Sequence, residues 1–197
     1  CAIAPHEEAL VHAPLDLFRD PGFARVSIDM IARAARVSPK TIYVRYGGKR
    51  GLFAAVIERM VAQPLATLSP LNGANGDPAA TLRQVGAAFL DSILEPEKVA
   101  LHRMLIAEAT RMPELSGLFY KQGPAKALNL LATWLAAQDE AGLLRVPDPK
   151  IAAEIFVGLI EARFMFRALL LGVIPAPKER AESLDYAVDI FVDAHAR

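Results

Sequence analysis

Four prolines, each directly behind a side chain that can cap a helix, divide this chain more firmly than any other feature. In Ser38-Pro39, Asp77-Pro78, Glu95-Pro96 and Asp148-Pro149, the residue without an amide hydrogen falls at the first helical position, where no intrahelical bond is lost. Glu95 is the weakest cap of the four. Between these points apolar residues recur at intervals of three and four, as in Ile28, Ile31, Ala32 and Ala35, and again in Leu52, Val56 and Met60. That period belongs to helices, and no segment alternates as a strand would. The expected fold is all-α, with helices over roughly 6–20, 27–35, 38–45, 49–67, 78–94, 96–110, 113–141 (bent near Pro124), 148–171 and 178–195.

The stretch SPLNGANGDP, from Ser69 to Pro78, is the loop rich enough in Gly, Asn and Pro to mark a domain boundary. Two positions conflict with their predicted surroundings. Pro14 sits inside the first predicted helix, where it removes a hydrogen bond. Arg36 occupies the turn before Ser38, where a left-handed backbone suits glycine better.

With 53% hydrophobic and 22% charged residues, the chain has enough apolar material for one large core or two smaller ones. The single cysteine, Cys1, excludes an internal disulfide framework and is consistent with a reducing compartment, so the expected location is cytoplasmic. A first residue of Cys rather than Met reads as a trimmed N-terminus in preference to a lipoprotein anchor. The most apolar region, Ile155 to Pro177, contains Glu161, Arg163 and Arg167, which a lipid-facing span resists. It reads as a buried helix, with no membrane partner.

Zero net charge conceals an asymmetry. Residues 1–62 carry nine Lys or Arg against six Asp or Glu, and six of those bases lie between Arg33 and Arg50 without an intervening acid. A polyanion-facing patch is one reading; a solvated helix face is the other. The layout of Ser27 to Arg45 favours the first. A short amphipathic helix, a tight turn at Arg36-Val37 and a second capped helix of about two turns make a helix-turn-helix, whose second helix enters the major groove. There Pro39, Lys40, Tyr43 and Val44 share one exposed face while Ile42 and Val37 turn inward. Thr41 and Tyr43 offer hydroxyls, and Lys40, Lys49 and Arg50 offer charge. The start of the next helix, near Lys49, offers amide hydrogens to a phosphate.

The segment LDLFRDPGFARVSIDMIARAARVSPKTIYVRYGGKRGLFAAVIERM, Leu15 to Met60, resembles the DNA-binding domain of the TetR family of bacterial transcriptional regulators. The shared elements are LF-x3-G-F, the Ser opening the second helix, I-A-x-x-A, V-S, T-I-Y, an aromatic at Tyr46, and Lys49 followed by a Leu. The resemblance implies DNA contacts at Ser27, Lys40, Thr41, Tyr43 and Lys49, with Ser38 as a cap and further contact; Pro39 and Tyr46 complete the candidate DNA-binding set. Departures are Arg36 at the family's turn glycine, Lys40 at a usually small position, Arg50 where an acid usually follows the lysine, and no basic arm before the first helix.

The region from Leu101 to Gly172 is similar to the C-terminal domain of the AefR-like branch of that family. Together the two resemblances imply a helix-turn-helix domain over residues 1–48, a connecting helix over 49–68, and a helical bundle for ligand binding and dimerisation over 69–197. Ile155, Gly158, Leu159, Ala162 and Phe166 form one apolar stripe, and Leu184, Val188 and Phe191 another. Such stripes bury each other or build a two-fold four-helix interface, and the resemblance favours the interface. Phe89, His102, Met104, Phe119, Tyr120, Trp134 and Arg163 are candidates to line an effector pocket, although aromatics at helical spacing also serve as plain core.

Catalysis has no support. No H-E-x-x-H or E-x-x-H pair and no phosphate-cradling glycine loop is present, and His6, His12, His102 and His195 lack metal-ligand spacing. No cofactor, metal or enzymatic activity is expected. The function expected is a ligand-responsive repressor that binds a pseudo-palindromic operator in double-stranded DNA as a homodimer and is released by a lipophilic small molecule. The rival is an all-helical small-molecule binding or scaffold protein with a vestigial helix-turn-helix.

Overall fold

The computed structural model describes residues 25–72 and 76–197. The helix expected over 6–20 and Pro14 lie outside the described residues. Nine α-helices are present among those described: α1 (Ile28–Ala34), α2 (Pro39–Tyr46), α3 (Lys49–Ala66), α4 (Pro78–Ile93), α5 (Pro96–Glu108), α6 (Pro113–Gln122), α7 (Pro124–Glu140), α8 (Pro149–Leu171) and α9 (Pro177–Ala194). A 3-10 turn, Ser69–Asn72, follows α3. The fold is all-α.

Proline opens seven of these nine helices. Asp77 and Asp148 accept hydrogen bonds from Ala79 N and Lys150 N, both at 3.0 Å, satisfying amides that have no partner within the helix. At Glu95 the carboxylate turns to Lys98 Nζ instead, 3.1 Å away. The single bent helix expected over 113–141 is two helices. Gly123 lies between them with φ −107° and ψ −89° and caps nothing with a side chain, so α6 stops at Gln122 and Pro124 starts α7 afresh.

The chain forms two compact units, neither contiguous in sequence: 1–61 with 100–120, and 62–99 with 121–197. In the first, Ile31, Ile42, Leu52, Phe53, Val56 and Ile57 are at most 1% exposed and pack with Leu101, Met104 and Leu115. In the second, α4, α7, α8 and α9 supply the core through Leu82, Leu135, Phe156, Phe164 and Phe191. Phe156 and Phe191 meet edge to face at 5.1 Å. Salt bridges flank that core: Arg83 joins Asp185 and Asp189, and Arg180 reaches Asp91 at 2.7 Å. Arg163 and Arg167 share Glu179 across the α8–α9 turn.

The region expected as a buried helix is buried on one side only. Phe156, Ile160, Phe164 and Ala168 face the core, whereas Ile155, Leu159, Phe166 and Leu170 are exposed. No helix among the described residues is long and apolar enough to cross a membrane.

Candidate nucleic-acid interface

The turn between α1 and α2 is built by backbone chemistry. Arg36 N donates to Arg33 O at 3.2 Å and Val37 N to Ala32 O at 2.9 Å, the paired bonds of a Schellman motif, which requires a left-handed residue between them. Arg36 takes that conformation, with φ 55°. A residue with a Cβ is held there at a cost of about 1 to 2 kcal/mol. Ser27 Oγ accepts from Met30 N at 3.2 Å and caps α1. Ser38 Oγ accepts from Thr41 N at 3.1 Å to cap α2 and lies 2.8 Å from Thr41 Oγ1. α2 ends at Gly47, whose φ of 71° and N–H bond to Tyr43 O close the helix in the left-handed region that glycine enters freely.

These constraints fix which side chains emerge. Ile42 is fully buried and anchors α2, while Pro39, Lys40, Tyr43, Val44 and Arg45 are exposed. Ser27 and Ser38 are exposed at their caps, Thr41 is half-buried beside Ser38, and Tyr46 packs against the core edge. The exposed tip therefore presents a cation, a phenol and an aliphatic group side by side, the chemistry that meets guanine edges, phosphates and thymine methyls.

Lys49, at the start of α3, is half-buried. Burial lowers its ammonium below the ordinary lysine value, and the nearby Glu108 carboxylate opposes that shift. Arg50, next to it, pairs with Glu114 at 3.4 Å. That these acids face these cations carries no signal in the sequence, because about sixty residues separate Glu108 from Lys49 and Glu114 from Arg50.

The seven effector-pocket candidates are divided between the two compact units. His102, Met104, Phe119 and Tyr120 belong to the first unit, and Phe89, Trp134 and Arg163 to the second. His102 meets Phe119 edge to face at 5.0 Å, Met104 and Trp134 are buried, and Tyr120 is exposed. Arg163 is committed to Glu179 and lies over the Phe164 ring. Phe89 does line an apolar cleft in the second unit, with Leu71, Val85, Leu131, Phe156, Val157 and Ile160 among its neighbours. The cleft has a free volume of about 20 Å³, room for about one water. Apart from Phe156 and Gly86, its other lining residues are aliphatic, and all are indistinguishable in sequence from ordinary core.

The two expected interface stripes also separate. Ile155, Gly158, Leu159, Ala162 and Phe166 are exposed along α8. Leu184, Val188 and Phe191 instead fill the chain's own core, at most 4% exposed, because α9 lays that stripe against α4 and α8. The outer face of α9 carries Tyr186 and Ile190. Among the described residues no cluster of three or more His, Cys, Asp or Glu could hold a metal.

Comparison with known proteins bears on this arrangement. The profile of the AefR-like transcriptional repressor C-terminal domain matches residues 80–197, and that of bacterial regulatory proteins of the tetR family matches residues 10–56. The uncharacterized HTH-type transcriptional regulator YvkB of Bacillus subtilis is 25% identical over 191 residues, 95% of this chain and 96% of that one. A solved structure from Mesorhizobium loti, assigned to the TetR family of transcriptional regulators, shares the fold with a TM-score of 0.87 at 23% identity, covering 98% of this chain and 97% of that chain. The flavonoid-responsive regulator FrrA gives a TM-score of 0.71 at 27% identity, with 96% of each chain covered. The C-terminal profile alone spans more than half of the sequence, and the chain thus belongs to the TetR family of bacterial transcriptional regulators, with an AefR-like C-terminal domain.

Proposed function

We propose that this chain is a ligand-responsive repressor that binds a pseudo-palindromic operator as a homodimer. The observation that carries the reading is the exposed α2 tip, where Lys40, Tyr43 and Val44 project from a helix whose start, end and orientation are fixed by Ser38, Gly47 and the buried Ile42. Lys40 is assigned to base edges. Ser27, Ser38, Thr41, Tyr43 and Lys49 are assigned to the phosphate backbone, and Pro39 and Tyr46 to shaping the tip. The exposed stripe of α8, extended by Tyr186 and Ile190 of α9, is assigned to the second copy. Apolar patches of this kind mark association surfaces, and Gly158 and Ala162 allow a helix to approach closely.

The effector is assigned to the apolar cleft lined by Phe89. All of its named lining groups are hydrocarbon, which suits a lipophilic ligand; FrrA, similar over 96% of its length, is named for its response to flavonoids. Because the cleft has room for about one water, the ligand binds a more open form and shifts the population toward it. A preference of about 100-fold for the DNA-incompetent form supplies roughly 2.7 kcal/mol of coupling. α3 and α5 each contribute residues to both compact units, which makes them the natural carriers of that shift.

The deciding experiment is selection of bound duplexes from a random pool, followed by titration of the selected duplex at several salt concentrations with and without candidate lipophilic compounds. The repressor reading expects a two-fold-symmetric site, affinity that falls steeply with salt at about 0.9 log units per phosphate contact, and release by an effector. A flat salt response with retained ligand binding favours the scaffold reading. Lys40→Ala is expected to change which base is preferred, whereas Tyr43→Phe and Lys49→Ala weaken all sequences alike.

A further inference from the structure

At the start of α3, Arg50 meets one carboxylate and Lys49 lies in the field of another, both supplied by a distant part of the sequence within the same compact unit. Arg50 Nη1 lies 3.4 Å from Oε1 of Glu114, which sits in the first turn of α6. Lys49 shares a face of α3 with Phe53, one turn on, and Phe53 lines a small void together with Glu108 at the end of α5. Glu108 is only 8% exposed, with Arg111 Nη1 at 3.9 Å as a second cation. Its carboxylate also pulls the Lys49 ammonium back toward its ordinary range against the effect of burial. The α5–α6 junction therefore delivers both acids to the two cations that stand beside the reading helix.

We propose that Glu108 and Glu114 hold Lys49 and Arg50 in competition with DNA phosphates, and so set how many phosphates each reading head can neutralise. This rests on the DNA-binding reading above. A guanidinium engaged by a carboxylate must leave it, or share it, before it can displace a counterion from DNA. The nearby negative charge also opposes the approach of phosphate in either case. The run of six bases from Arg33 to Arg50 thus overstates the charge available to DNA, and the α5–α6 junction determines how much of it is released.

The test uses the full chain and a duplex of random sequence, with affinity measured from about 50 to 200 mM salt, for the unaltered protein, Glu114→Gln, Glu108→Gln and the double variant Glu114→Gln/Arg50→Ala. Glu114→Gln is expected to bind about twofold to fivefold tighter per reading head, the range of an exposed ion pair. Its log affinity should fall more steeply with log salt, by about 0.9 for each additional phosphate neutralised. Glu108→Gln is expected to act in the same direction through Lys49. Adding Arg50→Ala should abolish the tighter binding of Glu114→Gln. Unchanged affinity and slope in both single variants overturns the proposal. So does tighter binding that survives Arg50→Ala, since that is a diffuse effect of removing an acid. Absence of salt-dependent binding by the unaltered protein is a different failure: it removes the DNA-binding reading, and the proposal falls with it. Thermal melting checks each variant, and exposed Glu114 keeps the test decisive even where loss of the buried acid unfolds the chain.

Discussion

Gly51→Ala adds one methyl group, and the structure fixes where that group must go. An ideal Cβ at Gly51 would stand 1.8 Å from the carbonyl oxygen of Tyr46, the last residue of α2. Real Cβ atoms do not approach within 3.0 Å, so the two must part by about 1.2 Å, the difference between 1.8 Å and 3.0 Å. The obstacle is backbone, not the end of a flexible side chain, and α2 is pinned by fully buried Ile42. Replacing a helical glycine by alanine gains about 1 kcal/mol, and overpacking of this kind costs about 1 to 3 kcal/mol or more. With rigid backbone on both sides the upper end applies, leaving a net loss of about 2 kcal/mol. At about 2 to 4 °C per kcal/mol for a chain of this size, Tm should drop by about 4 to 8 °C. Gly117→Ala is the control, since nothing lies within 4 Å of its Cβ position in α6. There the same substitution should stabilise by about 0.5 to 1 kcal/mol. Calorimetry at one fixed protein concentration compares the two, because association shifts Tm by mass action. Duplex affinity provides a second readout, as the displaced junction lies between the reading helix and Lys49. If Gly51→Ala melts at or above the unaltered protein and binds duplex equally well, the tight α2–α3 junction is wrong.

Phe166→Asp places a charge in the middle of the exposed α8 stripe, where Phe166 is 69% exposed in the single chain. Losing one buried Phe on each side of a two-fold interface costs about 3 to 6 kcal/mol, so sedimentation should show a shift to monomer with the helical content unchanged. Gln138 is 1% exposed with neither its side-chain oxygen nor its nitrogen hydrogen-bonded among the described residues. Gln138→Met keeps the volume and removes the unsatisfied amide, and should stabilise by about 1 to 3 kcal/mol in denaturant unfolding. Burial raises the Glu161 carboxyl above its usual value of 4.5, so its folded-state pKa exceeds its unfolded one. The chain loses stability as pH rises through the folded value. Glu161→Gln should therefore melt higher than the unaltered protein at neutral pH and level with it below 4.5, a difference that thermal scans across pH would detect.

The local half of this molecule is legible in the sequence. Proline behind a capping side chain locates helix starts within one residue, because both effects act within a single turn. Arg36 announces its left-handed turn because Ser38-Pro39 must begin a helix two residues later. What sequence does not carry is direction. α8 is apolar on two faces, and periodicity cannot say which of Phe156 and Ile155 meets the chain's own core. α9 has one clear stripe, and the same spacing serves a self-packed helix or an intermolecular one; Arg83 with Asp185 and Asp189 binds it to α4. The effector candidates are divided between the two units for a related reason. Bulky aromatics are natural candidates for a pocket, but Trp134 and Met104 are already surrounded by core, and the cleft is lined mostly by aliphatics. The acids facing Lys49 and Arg50 are invisible in the sequence because only the fold brings residues 108 and 114 to residues 49 and 50.

The two surfaces that the proposed function assigns to DNA and to a second copy, the α2 tip and the α8 stripe, differ in kind, and that difference decides how they would depend on each other. The α2 tip is small, and with Arg50 beside it paired to Glu114 a single reading head is expected to reach few phosphates and bind weakly. Ile155, Leu159, Phe166 and Leu170 along α8 are apolar and exposed, so association through them would rest on hydrocarbon burial that salt hardly screens. Joining two weak heads through such a stripe makes the second engagement with DNA intramolecular, at an effective concentration near the millimolar range, and multiplies affinity by about 10² to 10⁴ with the same side chains at each head. High salt then weakens the DNA contacts while leaving the pairing of chains intact, and Phe166→Asp does the reverse: it leaves each reading head whole, yet lowers duplex affinity steeply and roughly halves the salt slope, because one head at a time remains to displace counterions. An operator affinity that survives loss of the dimer would show that a single α2 tip suffices, and the effector could then act only on the head itself and not on the spacing between two.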